Sequence, residues 1–144
     1  DCLIYEILYR QRFETLSSDS QFIEALIKGF ANRAENKSFL TFNVTEDFLA
    51  IRPSGNPITA EDLIGMYNNA DLVVELSELV KIHRLEVNSD WGFSAFTLKE
   101  AFSYKGEQNN DLSSYSMIFK KVDGTWKISW MHRSSGTTDL STWN

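Results

Sequence analysis

Apolar positions along this chain change period near its middle. Between Ser18 and Asn36 they recur at helical spacing. Phe22, Ile23, Leu26, Ile27, Phe30 and Ala34 form one stripe, and Glu24 and Lys28 pair four residues apart outside it. Ser18 followed by Gln21 has capping-box spacing, which satisfies two backbone donors at a helix start, so the pattern predicts an amphipathic helix from Ser18 to near Asn36. Upstream, Leu3, Ile4, Ile7 and Leu8 keep helical spacing while Tyr5, Tyr9 and Phe13 fall on other faces. Residues 1–17 are therefore expected as a helical N-terminal extension and 18–144 as the single domain. Glu46–Arg52 reads as a short strand stopped by Pro53-Ser54-Gly55-Asn56-Pro57. Thr59, with Asp62 three residues on, caps a second helix whose Leu63, Ile64, Met66 and Tyr67 face inward.

From Asp71 the spacing is that of strands: Leu72–Asn88, Trp91–Lys105, Leu112–Val122 and Thr125–Ser134, rich in β-branched and aromatic residues. Their separators are Ser89-Asp90, a polar loop from Gly106 to Asp111, and the hairpin signal Asp123-Gly124. Helices and strands segregate, so the predicted class is α+β. The longest segment, 72–88, would span roughly 55 Å if straight, whereas a domain of this length is about 37 Å across. The sheet must therefore coil and bulge. Apolar parity switches between Ala95 and Phe96, which predicts a bulge there. The expected architecture is a curved antiparallel sheet wrapped around the long N-terminal helix, a cone with an apolar cavity at its open end.

Composition narrows what such a cone could serve. At 144 residues the chain can bury a core without staples, and its net charge of −6 argues against a nucleic-acid backbone as partner. No apolar run approaches a membrane span, so no membrane partner is expected. The lone Cys2 excludes an internal disulfide and a cysteine-rich zinc site, and fits a reducing, cytoplasmic setting. The chain opens on Asp1 rather than methionine, which leaves room for a removed targeting peptide; Asn36-Lys37-Ser38 and Asn43-Val44-Thr45 are glycosylation-type triplets.

Candidate chemistry follows from strand parity. In the last strand Trp126, Ile128, Trp130 and His132 share one face, and Lys127, Ser129, Met131 and Arg133 the other. Turned into the cone, the apolar face carries His132 with it as a general acid or base. His83 shares parity with Leu79, Leu85 and Val87 and is the second candidate. Either imidazole could instead be structural, bonded to a neighbour. Two histidines alone do not make a metal site, and no metal or cofactor is expected. Arg52 and Arg133 could each neutralise a ligand carboxylate or pair with an internal acid such as Asp47 or Glu86. Trp91, Tyr104, Tyr115 and Trp130, with Phe93 and Phe102, could line a ligand site or fill the cone. Val80, Ile82, Ile118, Val122 and Met131 sit opposite the inner face, which predicts a covered outer surface and a homodimer through it, with the N-terminal helix adding contacts.

Two stretches carry a resemblance. Asp47-Phe48-Leu49-Ala50-Ile51-Arg52-Pro53-Ser54-Gly55-Asn56-Pro57 resembles the strand and turn after the first helix of the nuclear transport factor 2-like (cystatin-like, SnoaL-like) superfamily. Asp123-Gly124-Thr125-Trp126-Lys127-Ile128, leading to His132-Arg133-Ser134, is similar to its last hairpin, and the closing His-Arg-Ser to that of the calcium/calmodulin-dependent protein kinase II association domain. The similarity covers about residues 18–138. It implies the cone fold, pairing through the sheets, and one of several functions: a small-molecule-binding domain of the lyase or isomerase kind taking an apolar or carboxylate ligand, or an oligomerisation module without catalysis.

Overall fold

The structure, a computed structural model, describes residues 2–136. Asp1, residues 137–144 and the side chains of Cys2, Tyr5, Tyr9 and residues 11–17 lie outside the described part, and with them the readings of Tyr5, Tyr9, Phe13 and the end of the domain. The elements are α1 (Cys2–Ala31), α2 (Phe39–Asn43), β1 (Val44–Ile51), β2 (Pro57–Thr59), α3 (Ala60–Tyr67), β3 (Leu72–Val87), β4 (Trp91–Tyr104), β5 (Glu107–Val122) and β6 (Thr125–Gly136). They form one curved, unclosed sheet in the order β2-β1-β6-β5-β4-β3. All neighbours are antiparallel except β1 and β6, so the sheet is mixed.

Helix α1 passes through Ser18 without a break. The capping-box residues are interior, because backbone donors there already bond one turn back. The helix closes earlier than its apolar stripe suggests. Asn32 N–H still reaches the Lys28 carbonyl at 3.1 Å, but Arg33 N–H turns to Phe30 at 3.2 Å, a tightened final turn. Thr59 caps α3, accepting from Asp62 N–H at 3.3 Å.

The turns account for the register. Asp123 (φ 51°) with Gly124 (φ 79°), and Lys105 (φ 52°) with Gly106 (φ 81°), have two successive left-handed residues, the geometry whose twist matches a two-residue hairpin. The second turn shortens the expected loop 106–111, and β5 begins at Glu107. Curvature comes from β3 rather than β4. The ladder of β3 on β4 shifts three times, leaving Glu75, Val80 and His83 as extra residues, while β4 alternates without interruption through Ala95 and Phe96. The parity switch has another cause. Trp91, Phe93 and Ala95 belong to the outer face, and Ser94, Phe96, Leu98 and Glu100 to the buried inner one.

Inside the curve, Ile23, Ile27 and Phe30 of α1 pack with Phe96, Leu98, Met117, Phe119 and Ile128, all nearly solvent-free. A Cβ at Gly92 would stand 2.6 Å from Ile23 Cδ1, so glycine there lets the helix approach the sheet. Ile82 packs against this core and Met131 is part of it, so neither contributes to the outer surface as parity suggested.

Candidate functional site

At the open end of the cone α1 has ended, and a cavity of about 410 Å³ remains between β1, α3, β6 and the curled strands. Its walls are apolar: Ala50, Ile58, Leu63, Met66, Phe102 and Met131. Its floor is polar and buried. Arg33, delivered by the tight turn after α1, stacks on the Phe30 ring at 4.0 Å and donates through Nε to Tyr67 Oη at 2.6 Å and through Nη1 to the Phe30 carbonyl at 2.9 Å. Its Nη2 lies 3.4 Å from Glu100 Oε2. Tyr115 Oη donates to Glu100 Oε1 at 2.5 Å. Arg133 Nε lies 3.6 Å from the same oxygen, and its Nη2 donates to Ser113 Oγ at 2.8 Å and Asp111 Oδ2 at 3.2 Å. One carboxylate is thus held by two guanidinium groups and a phenol.

Electrostatics follow from that packing. Burial would lower the pKa of Arg33, but its interactions with Tyr67, Tyr115 and Glu100, and its hydrogen bond to Tyr67, outweigh it and hold the group above its ordinary value. Arg133 is likewise raised, against burial, by Tyr115, Glu100 and Asp111. Burial, reinforced by Glu100 and Tyr67 and opposed by the two arginines, pushes the Tyr115 hydroxyl well above its usual range. Both guanidinium groups are therefore cationic and Tyr115 neutral at ordinary pH. Ser77, the ladder partner of Glu100, also lines the cavity, and its buried Oγ is without a hydrogen-bond partner.

Of the candidates named from the sequence, Arg52, Phe102, Tyr104, Tyr115 and Arg133 line this cavity, and His83, Trp91, Phe93, Trp130 and His132 do not. Opposite Phe119 and Ile118, β6 carries one extra residue, Ser129, so alternation restarts beyond it. Met131 and Arg133 turn inward, and Trp130 and His132 turn outward, where their rings meet edge-on at 5.9 Å. Trp91 is exposed on the outer face at the start of β4. His83, an extra residue of β3, bonds through Nε2 to Thr97 Oγ1 at 2.7 Å, and Thr97 to Ser114 Oγ at 2.8 Å, all on the outer face. The two histidines are therefore outside the cone. The expected arginine partners also differ. Asp47 lies 3.9 Å from Lys120 and Glu86 3.7 Å from Arg84, while Arg52 Nε donates to the Asn56 carbonyl at 3.3 Å.

Arg33, Tyr67 and Glu100 carry the floor, and neither Arg33 nor Glu100 was a candidate from the sequence. Glu100 did leave a signal, a charged residue at the inner parity of Phe96, Leu98 and Phe102. Among the described residues no group of three or more histidine, cysteine or acidic side chains is arranged to hold a metal. No helix of the described residues is long and apolar enough to cross a membrane.

A helix-filled, half-closed cone of this topology is the nuclear transport factor 2-like, or cystatin-like, fold. Within that class the chain belongs to the family described as "Protein of unknown function (DUF3804)", whose profile matches residues 18–144. A nuclear transport factor 2-like protein of unknown function from Prochlorococcus marinus is similar at 43% identity, over 85% of this chain and 97% of that one, with a TM-score of 0.77. Two more distant structures share the fold alone. A calcium/calmodulin-dependent kinase II association-domain-like protein from Exiguobacterium sibiricum has 16% identity over 91% of this chain and 95% of its own, TM-score 0.65. A type 2 hexachlorocyclohexane dehydrochlorinase has 14% identity over 87% and 89%, TM-score 0.70. No curated protein sequence matches the chain.

Proposed function

We propose that this protein is a small-molecule-binding domain whose cone accepts an apolar ligand carrying one carboxylate. The observation that carries this reading is the cavity of about 410 Å³ with apolar walls and two guanidinium groups at its polar end. Three arginines line it, with Glu100 and Asp111 as the acids paired to Arg33 and Arg133, while Arg52 at the mouth has the Asn56 carbonyl as its hydrogen-bond acceptor. An anionic head would meet Arg133, which is one-fifth exposed, with Arg52 at the mouth, and an apolar body would replace water against Leu63, Met66 and Met131.

Binding is favoured over the lyase or isomerase chemistry that the fold can also support. A proton-abstracting carboxylate needs a free lone pair, and Glu100 faces Arg33, Arg133 and Tyr115. Glu100 is better suited as the counter-ion that keeps two buried arginines in place. The outer sheet face supports a second reading at a separate surface, pairing of two copies. Ala95, Ser114 and Ser116 form a low-relief centre, and Phe93, Ile118 and Trp130 flank it as apolar contacts.

Thermal unfolding with octanoate, octanol and octylamine tests the binding reading. At a hundredfold excess over its Kd a ligand adds about 2.7 kcal/mol, a shift of a few degrees in Tm for a domain of this size. Octanoate should raise Tm, octanol less, and octylamine not at all. Equal shifts for all three, or none, would contradict the reading.

A further inference from the structure

Helix α1 carries two apolar triads of the same spacing. Ile4, Ile7 and Leu8 are followed 18 residues later by Phe22, Ala25 and Leu26, and 18 residues are five helical turns, so both triads lie on one face. The first triad is exposed, at 59%, 49% and 60%, and so is Phe22 at 60%. The second triad forms one wall of a separate groove of about 580 Å³, closed by Phe39 of α2 and Trp126 of the last hairpin. At the groove's edge Asp19 Oδ1 accepts from Trp126 Nε1 at 2.9 Å and from Lys121 Nζ at 3.2 Å, which pairs its charge, while its Oδ2 is buried without a hydrogen-bond partner.

The exposed triad and the groove cannot meet within one chain, because a continuous helix holds them roughly 27 Å apart. We infer that a second copy of the chain supplies the occupant: α1 pairs antiparallel with α1 of another copy, and the N-terminal triad of each lies in the groove of the other. A twofold axis beside residue 15 sets Leu8 opposite Phe22 and Ile4 opposite Leu26, with matching steps of four residues. Each copy contributes both halves, so the contact closes at two chains. A lipid surface fits this helix less well, because α1 carries four acidic and three basic residues where surface-bound helices are rich in lysine and arginine. The triad lies in residues 2–17, outside the matched family profile, and the groove lies within it, so this pairing joins the extension of one copy to the domain of the other and uses a surface separate from the outer sheet.

Cross-linking tests the geometry. In a Cys2→Ser background, the double variant Leu8→Cys/Phe22→Cys should oxidise to a covalent dimer. Leu8→Cys alone should not, because the two copies of position 8 would lie about 21 Å apart along the axis. Cross-linking by Leu8→Cys alone, or none by the double variant, overturns the proposal. Sedimentation equilibrium of Ile4→Glu/Leu8→Glu, with helicity checked by circular dichroism, supplies the second readout. The mass should fall, to two chains if the sheets also pair and from two to one if they do not. An unchanged mass overturns the inference, as does flotation of the wild type with phosphatidylcholine–phosphatidylserine vesicles that the variant loses without a change of mass.

Discussion

Glu100 sits 6% exposed between Arg33, Arg133 and Tyr115, and the consequences of that crowding can be measured. Replacing Arg33 by methionine keeps the packing volume but removes the main partner of Tyr67 and half the counter-charge of Glu100. Breaking one side of a buried pair costs about 3–5 kcal/mol, whereas apolar replacement of both sides is often close to neutral. Arg33→Met should therefore lower the urea midpoint sharply, and Arg33→Met/Glu100→Leu should recover part of the loss. Tyr115 has its own signature. Its folded-state pKa is raised, so the folded chain holds that proton more tightly than the unfolded chain does. The stabilisation is complete below about pH 10, the unfolded value, and is lost as pH rises through the folded value. Tyrosinate absorbance should show one hydroxyl ionising late, together with alkaline unfolding, and Tyr115→Phe should remove that step. Ionisation of all tyrosines in a single step near pH 10 with the fold intact would contradict it. In the sequence, Arg133 and Tyr115 stood out by residue type alone. Arg33 did not, because its place at the floor depends on where α1 stops.

At the scale of elements, the single residue Ser129 decides which side chains enter the cone. Period-2 reading of β6 is right through Ile128 and inverted from Trp130 onward, because two residues there oppose one on β5. Hydrophobicity could not reveal this, since Trp130 and Met131 are both apolar and either could face inward. Deleting Ser129 should leave β6 in plain alternation with Arg133 still inward, at a cost of roughly 1–3 kcal/mol. Inserting an alanine after Ser129 should turn Arg133 out and abolish stabilisation by octanoate. Equal behaviour of the two variants in thermal unfolding would refute the bulge as the cause. Elsewhere the elements were legible for physical reasons. The 3.6-residue stripe of α1, the Thr59 cap and the Asp123-Gly124 turn are local features that tertiary packing had no reason to override. The curl was foreseen from strand length but misplaced, because bulges in β3 leave no mark on the apolar parity of β4.

Across the whole molecule the two faces of one sheet serve different ends. The concave face carries the core and then, beyond the end of α1, the cavity with its arginine floor. The convex face carries His83, His132, Trp91 and Trp130, which parity or composition had assigned to the cone. The account therefore separates Arg133 from His132, neighbours in sequence on opposite sides of β6. Calorimetric titration of octanoate into the wild type, His132→Ala and Arg133→Gln measures that separation. The account predicts equal affinity for the wild type and His132→Ala, and a loss of at least about tenfold, or 1.4 kcal/mol, for Arg133→Gln. Undiminished binding by Arg133→Gln, or loss on replacing His132, would contradict it.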